Sequence, residues 1–374
     1  MDKNEMVGEV VVGQSNPNNA LDQGCGKSTP FEVQGEIPAA PAPIGTVQWL
    51  IDEYRSDRDS PYRSKRWPTR QHYDVLLKRV AADFGTSTLE DIRARQLKRW
   101  HEGIVAAGHV AMGHGLVGMI RTIVGFGATI LEDKECQRLA GMLHLMKFAM
   151  AKPRTERLTA EQAILIRREA HSAGRPSIAL AQAIQFECFL RQKDVIGEWV
   201  PETEPGESAV RAYGNKWLRG IRWEEISHDF VLSHITSKRL KLVEFDLTSA
   251  PMVVEELHYA MGSDALGGLQ RDRFPKDGPV IFSEASELPW IAGEYRRWWR
   301  KLARSAGIPD AVRSMDSRAG AITEATDAGA SLEHIRHAST HSDIAMVQRY
   351  SRGAVEKVAG VQKMRNEHRN KAVS

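Results

Sequence analysis

The chain has 374 residues, 42% hydrophobic and 26% charged, with a net charge of +3; that length suits two domains with ample core, and the composition is that of a soluble globular protein. No apolar run approaches the roughly 20 residues that span a bilayer, and the N-terminus lacks a basic-then-apolar signal. Cys25, Cys136 and Cys188 are widely spaced with no Cys-x-x-Cys pair, which argues against a disulfide scaffold and a zinc site and points to a reducing cytoplasm.

Residues 1–45 read as a disordered leader rich in Asn, Gly, Pro and Gln, closing on the stiff Pro38–Ile44 stretch. Their six acids against two lysines leave the rest of the chain more basic than the total. Arg55, Arg58, Arg63, Lys65, Arg66 and Arg70 form one basic cluster, and Arg93, Arg95, Lys98 and Arg99 another. Such clusters suit phosphate contacts, or equally solvated helix faces.

Residues 46–150 read as a small all-α domain. Val47, Leu50, Ile51 and Tyr54 recur at helical spacing after Thr46. A break from Pro61 to Pro68 precedes a helix capped by Thr69, with Tyr73, Leu76, Leu77 and Val80 on one face and Phe84-Gly85 as its stop. Thr88–Ile92 opens a third helix with Leu97 and Trp100 inward. A fourth covers about Ala111–Glu132, with Leu116, Ile120, Ile123, Val124 and Ile130 as core.

Residues 151–374 read as a second, mixed domain. Lys152–Glu161 is a basic linker leading to a helix capped by Thr159. Ala179–Val195 is a mostly apolar helical region around Arg191. The character turns to strand from Trp217 to Leu247, where Val243, Phe245 and Leu247 alternate with Glu244 and Asp246. Helices return at Met252–Met261 and Trp290–Ala306, and another ends at Gly329. Residues 351–374 carry six Lys/Arg against two Glu, a basic tail.

The chemistry concentrates late in the chain. His341 precedes Tyr350 by nine residues, Arg318 lies shortly upstream and Arg191 further back. Two arginines can hold a phosphate and neutralise its charge. A histidine can donate to a non-bridging oxygen, and a tyrosine can attack phosphorus and become covalently joined. His334 and His337, at i and i+3, lack an accompanying metal-ligand signature.

His341-Ser-Asp-Ile-Ala-Met-Val-Gln-Arg-Tyr350 resembles the final box of the tyrosine recombinases, the phage-type integrases. The resemblance extends over residues 46 to 355. Phe189-Leu-Arg191-Gln-Lys-Asp194 resembles that family's first arginine box, with Asp194 in the place of the acid that orients the arginine. Lys238, in the turn ahead of the 242–247 strand, fits the hairpin lysine that protonates the leaving 5′ oxygen; Lys241 and Arg239 are its substitutes. Met315-Asp-Ser-Arg318 falls where the family often has His-x-x-Arg, so a thioether stands in the place of the base. The step then proceeds without that base, or Asp316 or His337 contributes instead, or activity is weakened. Ser339-Thr340-His341 replaces the usual Leu-Gly-His, which is expected to alter local packing only.

The resemblance implies an α-rich fold: an N-terminal helical core-binding domain and a mainly helical α/β catalytic domain with a small antiparallel sheet, clamping duplex DNA. It implies a site-specific recombinase with Arg191, Lys238, Arg318, His341 and Tyr350 as catalytic residues and no metal or cofactor. Its partners would be recombination sites in double-stranded DNA, a homotetramer on that DNA, and accessory DNA-bending or directionality factors. The rival readings are a catalytically weak DNA-binding relative and a type IB topoisomerase-like enzyme.

Overall fold

The structure, a computed structural model, describes residues 41–262, 268–341, 343, 344 and 365. Residues 1–40 of the leader, Tyr350 and all but one residue of the basic tail lie outside them.

Five helices build the N-terminal core: α1 (Val47–Ser56), α2 (Trp67–Phe84), α3 (Ala94–Ala106), α4 (Val110–Thr129) and α5 (Lys134–Leu145). Thr46 caps α1 by accepting from the Trp49 N–H, and Val47, Leu50, Ile51 and Tyr54 are all buried. They meet Leu76, Leu77, Val80 and Phe84 of α2 and Leu116, Ile120, Ile123 and Val124 of α4. Each fully buried aliphatic side chain of this kind contributes about 1.5–3 kcal/mol.

Five expectations change here. Thr69 does not cap α2; the helix starts at Trp67 with Pro68 in its first turn, where a missing N–H costs nothing. Thr88–Ile92 is a turn closed by Thr88 and Asp91 rather than the start of α3. Ile130 is exposed, because α4 ends at Thr129. The fifth helix was not foreseen; Asp133 caps it and Cys136, Leu139 and Leu143 bury its inner face. Contrary to the expectation of no bilayer-length segment, α4 is long and apolar enough to cross a membrane by length and composition. It packs into this core with Leu116, Val117, Met119, Ile120 and Ile123 buried.

The second core is larger. Helix α6 (Ala160–Ser172) opens on a capping box in which Thr159 and Gln162 satisfy one another's backbone N–H groups. It packs on α7 (Pro176–Glu187), which is buried along most of its length. The apolar region 179–195 is not one helix. It breaks at Cys188–Arg191, where Phe189 takes φ +51°, and resumes as α8 (Gln192–Ile196).

Strands β1 (Glu198–Pro201), β2 (Arg211–Ala212) and β3 (Asn215–Leu218) form an antiparallel sheet in the order β1-β3-β2. Strands β4 (Val231–Ile235) and β5 (Leu242–Asp246) form a separate hairpin with Ile235 opposite Leu242. Then come α9 (Pro251–Met261), α10 (Ala292–Ser305), α11 (Ser317–Asp327) and α12 (Leu332–Ala338). Gly329 ends α11 at φ +86°, a conformation that only glycine adopts without strain. The fold is α-rich, with a helical N-terminal part and a mainly helical α/β part carrying small antiparallel sheets.

Candidate active site

The break after α7 creates the first element of the site. Arg191 caps α8 with extended backbone, and its N–H donates to Asp194 Oδ2 at 3.2 Å. Asp194 is fully buried, and the same oxygen lies 3.8 Å from Arg191 Nη1. Its other oxygen accepts from the Ser237 N–H at 2.6 Å. One carboxylate therefore orients Arg191 and ties it to the β4–β5 hairpin.

That hairpin is closed by Thr236 and Lys241, whose backbones pair at 2.9 Å. Ser237, Lys238 and Arg239 form its turn. Ser237 is buried, whereas the Lys238 and Arg239 side chains reach solvent. Lys238 makes no ion pair among the described residues.

Arg318 sits in the first turn of α11, which is held by glutamines from α7. Gln185 Nε2 donates to the Ser314 carbonyl at 2.7 Å and Gln182 Nε2 to Ser317 Oγ at 3.1 Å. Two residues further on, a Cβ at Gly320 would come within 1.7 Å of the Leu158 carbonyl oxygen, so this close crossing admits only glycine. Arg318 is buried, and Nη1 donates to the carbonyl of Phe189 at 2.7 Å. The positive φ of Phe189 aims the break between α7 and α8 at the second arginine. Nη2 lies 3.4 Å from Thr340 Oγ1.

His341 follows α12 and is 5% exposed. Its N–H donates to the Arg336 carbonyl at 3.1 Å, and its Nδ1 lies 2.8 Å from Ser339 Oγ. Burial, and then the charges of Arg318, Arg191 and Arg239, push its pKa from 6.5 down to about 4. The structure thus brings Arg191, Arg318 and His341 together, with Arg239 of the hairpin turn acting on the same imidazole. Lys238 belongs to that turn. Tyr350 lies outside the described residues.

The two candidates to replace a base at Met315 are otherwise placed. Asp316 is buried; its carboxylate accepts from Arg154 Nη2 at 2.7 Å and from the Arg313 N–H at 2.8 Å. His337 is exposed on α12. Met315 itself is 61% exposed in the turn at Ser314–Asp316. Among the described residues no three His, Cys, Asp or Glu side chains gather as a metal-binding group.

Sequence reasoning missed Ser339 as the partner of the imidazole, Phe189 as the carbonyl behind Arg318, and Arg154 as the partner of Asp316. Ser339 was readable as a polar residue two before the histidine. The other two depend on long-range packing.

No protein-family model and no curated protein sequence matches the chain. Solved structures do. A lambda integrase dimer bound to a COC′ core site superposes with a TM-score of 0.60 at 16% identity, covering 82% of this chain and 77% of that one. A lambda integrase tetramer bound to a Holliday junction gives 0.59 at 17% identity, covering 82% and 78%. The Tn1549 transposon integrase in complex with transposon right end DNA gives 0.53 at 13% identity, covering 86% and 99%. With its two cores and its sheets, the chain has the fold of the lambda and Tn1549 integrases.

Proposed function

We propose that the chain is a site-specific DNA recombinase that cuts and rejoins duplex DNA through a 3′-phosphotyrosyl link, serving the integration or excision of a mobile element. The observation that carries this reading is the convergence of Arg318 and Arg191 on His341, where their charges add to burial in lowering the imidazole pKa to about 4. Two fixed guanidiniums beside one imidazole form a ready site for a phosphate and for the added negative charge of its transition state.

In this reading the Tyr350 hydroxyl gives its proton to solvent, its oxygen attacks phosphorus, and the bond from phosphorus to the 5′ oxygen breaks. Lys238 gives its proton to that oxygen, which leaves as a hydroxyl. The tyrosyl phosphodiester keeps the bond energy, so a 5′ hydroxyl from a partner strand reseals it and the phenol leaves. Arg191 and Arg318 hold the non-bridging oxygens. Residues 46–150 serve as the core-binding domain and residues 151–374 as the catalytic domain, acting as a tetramer on two DNA sites. The DNA complexes of the lambda and Tn1549 integrases support the choice of partner.

The test is strand exchange between two duplexes taken from the DNA flanking the coding gene. Recombinant products are expected, and Arg191→Ala or Arg318→Ala should each lower their rate by about 10²-fold or more. Relaxation of supercoils without exchange would instead favour a topoisomerase-like enzyme. Binding with no strand cleavage would favour a DNA-binding relative.

A further inference from the structure

Arg66 caps the start of α2, in the N-terminal helical part, yet its guanidinium reaches the second core. Nη2 pairs with Glu198 of β1, and Nη1 donates to the carbonyl of Ser237 in the β4–β5 turn. Glu198 is buried and also takes Lys193 Nζ at 2.9 Å and Arg219 Nη1 at 2.5 Å. Burial pushes its pKa up, and Lys193, Arg66 and Arg219 more than reverse that, so it stays an anion. One helical turn further along α2, Arg70 pairs with Glu204.

The consequence falls on the backbone of one residue, Ser237. The N–H of Ser237 is held by Asp194, the residue that orients Arg191. Its carbonyl is held by Arg66. The next residue is Lys238, whose side chain is exposed. A flexible lysine gains a defined reach when the backbone before it is fixed at both its donor and its acceptor.

We propose that Arg66 is a positioning residue for Lys238, so that the seating of the N-terminal helical part sets the proton donor of the leaving group through the Ser237 backbone. The inference rests on the reading of Lys238 as that donor. It differs from a simple bolt between two cores, which would affect every step alike.

The test compares single-turnover cleavage of ordinary DNA and of DNA with a 5′-bridging sulfur, both at saturating concentration. The sulfur leaves without protonation. Lys238→Ala should be slow on ordinary DNA and restored on the sulfur substrate. Arg66→Ala should follow it, slowed by up to about 10²-fold on ordinary DNA and restored on the sulfur substrate. The double variant should be no slower than Lys238→Ala. Arg66→Lys keeps a charge at Glu198 but cannot span both acceptors, so it should retain the wild-type Tm and still show the selective defect. An equal loss on both substrates for Arg66→Ala, with Lys238→Ala restored, overturns the positioning role and leaves the function intact. Failure of the sulfur substrate to restore Lys238→Ala removes Lys238 as the donor, and this proposal with it.

Discussion

The Ser339 hydroxyl fixes the tautomer of His341. Ser339 Oγ donates its single proton to the Ile335 carbonyl at 2.5 Å, so at its 2.8 Å contact with His341 Nδ1 it accepts. The Nδ1 atom therefore carries the hydrogen, and Nε2 of the neutral ring does not. With a pKa near 4 the ring is neutral at physiological pH. To donate from Nε2 to a phosphate oxygen it must gain a proton.

DNA binding should therefore take up a proton at His341. A phosphate between Arg318, Arg191 and Arg239 offsets the charges that add to burial in depressing the imidazole, so its pKa rises from about 4 on binding. The bound state then holds more protons than the free state, and affinity should rise as pH falls from about 7 toward about 4. His341→Gln keeps an N–H donor without titrating and should abolish this uptake. Calorimetry in buffers of different ionisation enthalpy measures it; equal uptake in the Gln variant would assign the proton elsewhere.

Thr340 stands at φ +52°, in the left-handed region, directly before His341. A β-branched residue is strained there, while glycine is not. Thr340→Gly should be more stable than Thr340→Ala by about 1 kcal/mol, because alanine keeps the Cβ penalty. Urea denaturation of the two variants checks this. An alanine variant as stable as the glycine one would mean that the backbone relaxes out of the left-handed region.

Much of the fold was legible because local chemistry and periodicity agreed. Thr159 caps the helix it was expected to cap, and Val47, Leu50, Ile51 and Tyr54 bury one face of α1 as their spacing predicts. The break at Cys188–Arg191 was not legible. Residues 179–190 are apolar enough to continue a helix, and only packing drives Phe189 to positive φ. Helix α5 was legible but passed over: Cys136, Leu139 and Leu143 stand at i, i+3 and i+7 after the cap residue Asp133. At the site, the sequence order pointed to Arg191, Arg318 and His341 as a set. The network of Arg66, Glu198, Ser237 and Asp194 was not readable, since it joins residues more than a hundred positions apart.

Met315→His should fold normally. The side chain is 61% exposed, so a histidine there escapes the cost of an unpaired buried imidazole. If the site merely lacks its base, the variant should cleave at least as fast as the parent and acquire a new pH dependence between about 6 and 7. A folded, DNA-binding variant that cleaves more slowly, with an unchanged pH profile, would show that the tyrosine is deprotonated by another route.

Covalent attachment of Tyr350 to DNA is the step on which the proposed function stands. A nicked suicide duplex, built from the DNA flanking the coding gene, lets the cleaved fragment diffuse away and traps the adduct. The parent protein should give a species that survives denaturing electrophoresis and is digested by protease to a phosphotyrosyl peptide containing Tyr350. Tyr350→Phe removes only the attacking oxygen; it should bind the duplex with unchanged affinity and give no such species. A denaturation-resistant adduct from the Phe variant, or none from a parent that nevertheless exchanges strands, would contradict the account.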